Sequence, residues 1–216
     1  MNKIQMHDIY HLRRKEAGRL AMKVSKQKMA EHREQIIEAA AKRFRENGFD
    51  GISVAELMKE VGLTHGGFYG HFKSKEELVG LASQRAMDDT ATKWEKVIDE
   101  ASGDPLEALA KNYLSVRHQD HPEGGCLFAA LGSELGRQPA SVKEAVMEGQ
   151  SQFLDLISRI VPGRTKAIRR KNAVVVFAGL IGGMILARSV PDPELSQEIL
   201  KTMAAAIPNS VREAIA

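Results

Sequence analysis

The chain of 216 residues holds a single cysteine, which excludes an intramolecular disulfide framework and suits the cytoplasm. It also lacks the short patterns that carry catalysis. No Gly-x-Ser-x-Gly elbow, Walker loop, glycine-rich dinucleotide turn or His-Glu-x-x-His pair occurs, so no enzyme class is indicated. No stretch alternates apolar and polar residues as a half-buried strand would, and there is no internal repeat or low-complexity tract. The longest apolar run, Ala173–Ala187, lies between Arg169-Arg170-Lys171 and Arg188 and falls short of the roughly 20 residues of a bilayer span. The start of the chain is too charged, and too poor in apolar residues, for a signal peptide. What remains is charge and helix signals. Residues 1–28 carry eight basic side chains against Asp8 and Glu16, a local excess of +6 where the whole chain has +3. Such an arm is either a phosphate contact or a solvated tail. Met22-Lys-Val-Ser25 reads as a natural beginning, with residues 1–21 standing upstream of it.

The strongest local signal is Ser53–Phe72. Ser53 is a good N-cap and Glu56 completes a capping box, so a helix begins here with Val54, Leu57, Met58 and Val61 along one side. Gly62 supplies a left-handed C-cap, Leu63 packs back under the turn, and Thr64 offers its hydroxyl as the next N-cap. The spacing predicts a second helix from about His65 to Phe72. Phe68 and Phe72 share its buried side, while His65 and Tyr69 face out beside Gly66 and Gly70. Nothing apolar justifies that outer face. Two short helices across a glycine turn make a helix-turn-helix, whose second helix presents its first residues to base edges and its amide end to a phosphate. Lys73-Ser74-Lys75-Glu76-Glu77 predicts a further capped helix through Leu78, Leu81 and Ala82.

With the helix Ile36–Asn47 and its Phe44, Gly48-Phe49, Ile52-Ser53-Val54, Phe68-Tyr69-x-His71-Phe72 and Lys75-x-x-Leu78, residues 30–90 resemble the DNA-binding domain of TetR/AcrR-type transcriptional regulators. Thr64-His-Gly-Gly-Phe-Tyr69 is similar to one glycine-rich branch of that family. The resemblance implies an all-α chain: a basic arm at 1–29, expected to be disordered, a three-helix DNA-binding domain at 30–90, and a helical ligand-binding and dimerisation domain at 91–216. It implies a repressor that binds a palindromic double-stranded operator as a homodimer and is released by a small-molecule effector. Thr64 and its neighbouring amides would meet a phosphate, Tyr69, His71 and Lys75 would hold the DNA backbone, and His65 is the best candidate for a base edge. Gly66 and Gly67, with Gly70, let the backbone approach closely but weaken the helix by about 1 kcal/mol each. A recognition helix that is partly mobile when free, and that reads groove shape, is therefore expected.

Beyond residue 80 the periodicity predicts helices only: Leu78 to about Ile98, Asp104 to about His118, Cys126–Gly136, Ala140–Ile160, one opened by Thr165, and one after Asp192-Pro193. The helix after Thr165 is apolar all round and so should be buried. Its Gly179, Gly182 and Gly183 suit close helix contact, either in the subunit's own core or, as the resemblance implies, with a twin subunit through residues 165–207. Trp94, Tyr113, Phe128, Met147, Phe153 and Phe177 are candidate effector walls, each with ordinary core packing as the alternative. Cys126 stands where Gly124-Gly125 turns into a helix, open to capture of an electrophile or simply buried and inert. His118, Asp120 and His121 have weak metal spacing, and neither a metal nor another cofactor is expected. Control of DNA binding by a protein partner or by Cys126 thiol chemistry, or an architectural role, stays open beside control by a small ligand.

Overall fold

The computed structural model describes the backbone of residues 3–213 and the side chains of residues 25–212, and no strand occurs among them. Helix α1 is Lys3–Asn47, α2 is Val54–Glu60, a 3₁₀ element occupies His65–Gly70, and α3 is Lys75–Asp99. Then come α4 (Pro105–Tyr113), α5 (Val116–Asp120), a 3₁₀ turn at Pro122–Gly124, α6 (Leu127–Leu135), α7 (Ala140–Ile160), α8 (Lys166–Ser189) and α9 (Pro193–Glu213).

The first unit closes around side chains that local spacing already aligns. Ile36, Ala40 and Phe44 repeat every four residues along α1 and are buried with Phe49, Leu57, Met58, Phe68 and Phe72. Phe44 and Phe49 meet edge to face with centroids 5.6 Å apart. The arm expected to be disordered is instead helical from Lys3 and continuous with α1. Residues 3–28 contain no proline and only one glycine, and are rich in Lys, Arg, Ala, Leu and Met, which favour helix without the help of a core.

Helix α3 passes uninterrupted through the expected domain boundary near residue 90 and packs on α1, α4 and α7, so one rigid element belongs to both units. The single helix expected from Asp104 to His118 is two. Ser115 accepts from His118 N and caps α5, ending α4 at Leu114, because a short hydroxyl side chain competes with continued helix.

Helices α8 and α9 pack antiparallel. A Cβ on Gly179 would stand 3.1 Å from Ile207, and one on Gly183 would stand 3.0 Å from Leu114 and 3.2 Å from Met203, so these two glycines serve the subunit's own core. Gly182 differs, with nothing within 4 Å of such a carbon. The expectation that α8 is buried all round fails on that side: Val174, Val175, Ile185 and Leu186 are exposed. At 24 residues the whole helix is also long and apolar enough to cross a bilayer, which the apolar run alone did not suggest. Its inner side nevertheless packs as a core helix does, with Val176, Phe177, Leu180 and Met184 buried and Asn172 Nδ2 donating to Pro162 O at 2.8 Å.

Candidate nucleic-acid interface and effector groove

The turn that sets the interface is built from the expected caps. Ser53 Oγ accepts from Glu56 N at 3.2 Å and Glu56 Oε2 accepts from Ser53 N at 2.8 Å. Ser53 Oγ also donates to Glu56 Oε2 at 2.6 Å, and this bond, followed by the one from Ser53 N, holds the Glu56 carboxyl below its usual range. Gly62 lies at φ +72°, with its own N–H on Lys59 O and the Leu63 N–H on Met58 O at 2.8 Å, so the end of α2 is fixed by a left-handed glycine. At the start of α3, Ser74 Oγ accepts from Glu77 N, while the Glu77 carboxylate reaches Lys73 N at 2.7 Å, one residue before the position a capping box would give it.

Between these two fixed ends the expected α-helix is a 3₁₀ element. Gly67 N bonds to Thr64 O at 3.0 Å and His71 N to Phe68 O at 2.9 Å, and Thr64 makes no side-chain capping bond. Three glycines in six residues remove the backbone preference that an α-helix needs, and short 3₁₀ turns fill such connectors. Phe68 and Phe72 remain buried as expected. Thr64, His65, Gly66, Gly67 and Tyr69 are all exposed; Tyr69 is 68% exposed and its ring meets that of His65 edge-on at 6.3 Å.

His71 and Lys75 stand at the rim, each only partly exposed. Burial first, then the nearby His32 and Arg33, push the His71 imidazole below its usual range, favouring its neutral form. Lys75 Nζ donates to Ile52 O at 2.9 Å, so it ties α3 to the turn before α2 as well as bordering the face. Sequence reasoning missed the contribution of α1. The His32 ring is 6.2 Å from that of His71, the Arg33 guanidinium lies 5.0 Å from the Phe72 ring centroid, and Met29 reaches the space beside Gly70. Met29, His32, Arg33 and Ile36 continue one helical side, a signal the sequence did contain.

The expected effector walls separate into two groups. Trp94 and Phe153 (centroids 4.8 Å apart), Tyr113, Phe128 and Phe177 form one aromatic cluster inside the second unit, as core packing. Met147 is not among them: it is 65% exposed on the outside of α7. Among the described residues, the open concavity that the expected residues reach is a groove of about 640 Å³ beside α3, α5 and the turn before α6; two others of about 710 and 660 Å³ lie on the outside of α7, and no expected residue lines either. Of the expected residues, Trp94 and Cys126 line it, together with Lys93, Arg117, His118 and Gly125.

Its floor is braced by His118. Nδ1 lies 2.7 Å from Tyr113 O and Nε2 accepts from Cys126 N at 3.0 Å, an arrangement satisfied by one neutral tautomer. Burial lowers this imidazole to about 4, partly opposed by the bond to Tyr113. His118 is thus a structural brace, His121 pairs with Glu123 at 3.1 Å, and among the described residues no group of three metal-ligating side chains assembles. Cys126 is 1% exposed, and burial raises its thiol despite the Tyr113 hydroxyl and the amides at the start of α6, which pull the other way.

Two family models match the chain: "Bacterial regulatory proteins, tetR family" over residues 36–82 and "Tetracyclin repressor-like, C-terminal domain" over residues 103–203, together more than half of it. The chain is 26% identical over 151 residues to the HTH-type transcriptional repressor DhaR of Mycobacterium sp. (strain GP1), covering 69% of this chain and 76% of that protein. It is 29% identical over 92 residues to YerO, an HTH-type transcriptional regulator of Bacillus subtilis (strain 168), covering 43% of this chain but only 32% of that protein. Among solved structures, the reduced form of E. coli NemR superposes with a TM-score of 0.68 at 20% identity, over 83% of this chain and 96% of that one, a likeness of fold. A helix-turn-helix held by capped, buried helices, joined to a helical second unit that both the family models and the solved folds match, makes this chain a DNA-binding transcriptional regulator of the tetR family.

Proposed function

We propose that the protein is a cytoplasmic repressor that binds a palindromic operator as a homodimer and leaves it when a small molecule occupies the second unit. The observation that carries this reading is the exposure of Thr64, His65, Gly66, Gly67 and Tyr69 on a scaffold whose other side is buried. Glycines at 66 and 67 admit the DNA backbone to the peptide chain itself. His65 and Tyr69 are the side chains set to meet base edges, while Thr64, His71 and Lys75 take phosphates. DhaR and the similar KstR2 of Mycolicibacterium smegmatis are repressors by name, which supports repression here.

Dimerisation is supported by α8. Val174, Val175, Ile185 and Leu186 leave an apolar stripe on the side opposite the core, with Gly182 at its centre open to close approach. The start of α8 is basic (Lys166, Arg169, Arg170, Lys171) and the start of α9 is acidic (Asp192, Glu194, Glu198). A twofold pairing with α8 antiparallel to its copy sets these opposite charges against each other. The groove lined by Trp94 and Cys126 is the site offered to the effector. A hundredfold release of operator requires about 2.7 kcal/mol of differential affinity between the two states.

The test is selection of duplexes from a random-sequence pool by the purified full-length chain, followed by mobility-shift titration. Recovery of one inverted-repeat motif supports the reading. Uniform, salt-labile retention of any duplex would instead make the protein architectural.

A further inference from the structure

Arg45, near the end of α1, is 5% exposed, yet its recorded hydrogen bond runs from Nη1 to Gly125 O at 2.9 Å, eighty residues away, and its Nε has no partner. A buried guanidinium resting on a neutral carbonyl is costly. Desolvation is its dominant influence, and Asp89, Glu123 and Glu46 act on it only through space. An apolar side chain of similar length would fill the site at lower cost, so stability of this arrangement does not explain the residue.

Its partner does. Gly124, Gly125 and Cys126 all line the groove, and α1, α3 and α5 hold their backbone groups. Lys93 of α3 donates to Gly124 O at 2.8 Å, Arg45 of α1 makes the shorter bond to Gly125 O while Thr90 Oγ1 of α3 reaches the same oxygen at 3.5 Å, and His118 of α5 accepts from Cys126 N. The opposite part of α1 carries Met29, His32 and Arg33 against the 3₁₀ element and Phe72, about 18 to 24 Å away along a continuous helix. A displacement of the groove wall is therefore applied to the same rigid helix that backs the DNA face.

We propose that Arg45 is the positioning residue through which the groove and the DNA face sense each other, holding Gly125 O in one arrangement and turning toward Asp89 and Glu123 when the wall moves. This rests on the DNA-binding reading above. By reciprocity, what the groove does to DNA binding, DNA must do to the groove. Trp94, the only tryptophan of the chain, lies in the groove wall and reports on it.

The experiment uses the full-length protein and a duplex recovered from the random pool. Binding of that duplex by the wild type should shift Trp94 emission and slow amide exchange at Gly124–Leu127 by about tenfold. Arg45→Met should keep its thermal midpoint and bind the same duplex within about threefold, but lose both responses, and Arg45→Lys should restore part of them. Wild-type responses in Arg45→Met, or failure of that variant to fold, would overturn the proposal by leaving Arg45 a plain structural contact. The double variant Asp89→Asn, Glu123→Gln, both at positions near the surface, tests the other arrangement: a diminished response agrees with the proposal and an unchanged one opposes it. If the wild type binds the duplex without any response, the coupling alone is wrong. If it recovers no duplex, the DNA-binding reading falls and takes the coupling with it.

Discussion

His118 shows how one side chain fixes a pH dependence. Its imidazole titrates near 4 in the folded chain and near 6.5 when unfolded, so between these values the unfolded state binds the extra proton. Its contribution is complete above pH 6.5 and is lost as pH falls toward 4, on the order of 2 kcal/mol by pH 5. His118→Gln should flatten the slope of urea-unfolding free energy over that window. Cys126 sits 3.0 Å away through its amide, at the groove wall but only 1% exposed and with its thiol raised, so Cys126→Ser should leave operator affinity and its release unchanged in mobility-shift titrations with and without hydrogen peroxide. Side chains of this kind were only half legible in the sequence. The position of Cys126 at a helix start was readable, but burial, which decides its chemistry, depends on Tyr113 and the packed second unit. Arg45 was unreadable, because its partner Gly125 is eighty positions away and the residue looks like any helix-surface cation.

Secondary-structure ends were the most legible level, since a cap involves neighbours within four residues. Ser53, Glu56 and Gly62 all act as local rules demand. Gly62→Ala meets no atom within 4 Å, so its cost is the left-handed backbone alone, about 1 kcal/mol, measurable as a lowered thermal midpoint. The 3₁₀ form of residues 65–70 was not read, because apolar spacing such as Phe68 with Phe72 suits either winding and only backbone preference separates them. Gly66 likewise has open space around it but no positive φ. Gly66→Ala should therefore stabilise the free protein, by up to about 1 kcal/mol, while its methyl group would intrude where the proposed reading brings the DNA backbone close. A rise in thermal midpoint with a tenfold or greater loss of duplex affinity is the expected pair of results, and tighter binding would show that the glycine is there for flexibility alone.

At the scale of the whole molecule, the two units are one mechanical body because α3 belongs to both and α1 reaches both. The stripe on α8 predicts association: Val175→Glu should convert the proposed dimer to monomers in sedimentation at micromolar concentration and weaken duplex binding with it, while the fold persists because Val175 is 49% exposed and outside the buried core. The winding of the DNA-facing element then acquires a kinematic consequence. A 3₁₀ helix rises about 2.0 Å and turns about 120° per residue, against about 1.5 Å and 100° in an α-helix. Rewinding His65–Gly70 into α form shortens it by about 3 Å and swings Tyr69 through about 80° around the axis relative to His65. In the proposed twofold pair both elements would turn in opposite senses across the symmetry axis, so the rotational phase between any base steps met by His65 and by Tyr69, and with it the register of the proposed operator, would be set by how tightly six residues are wound.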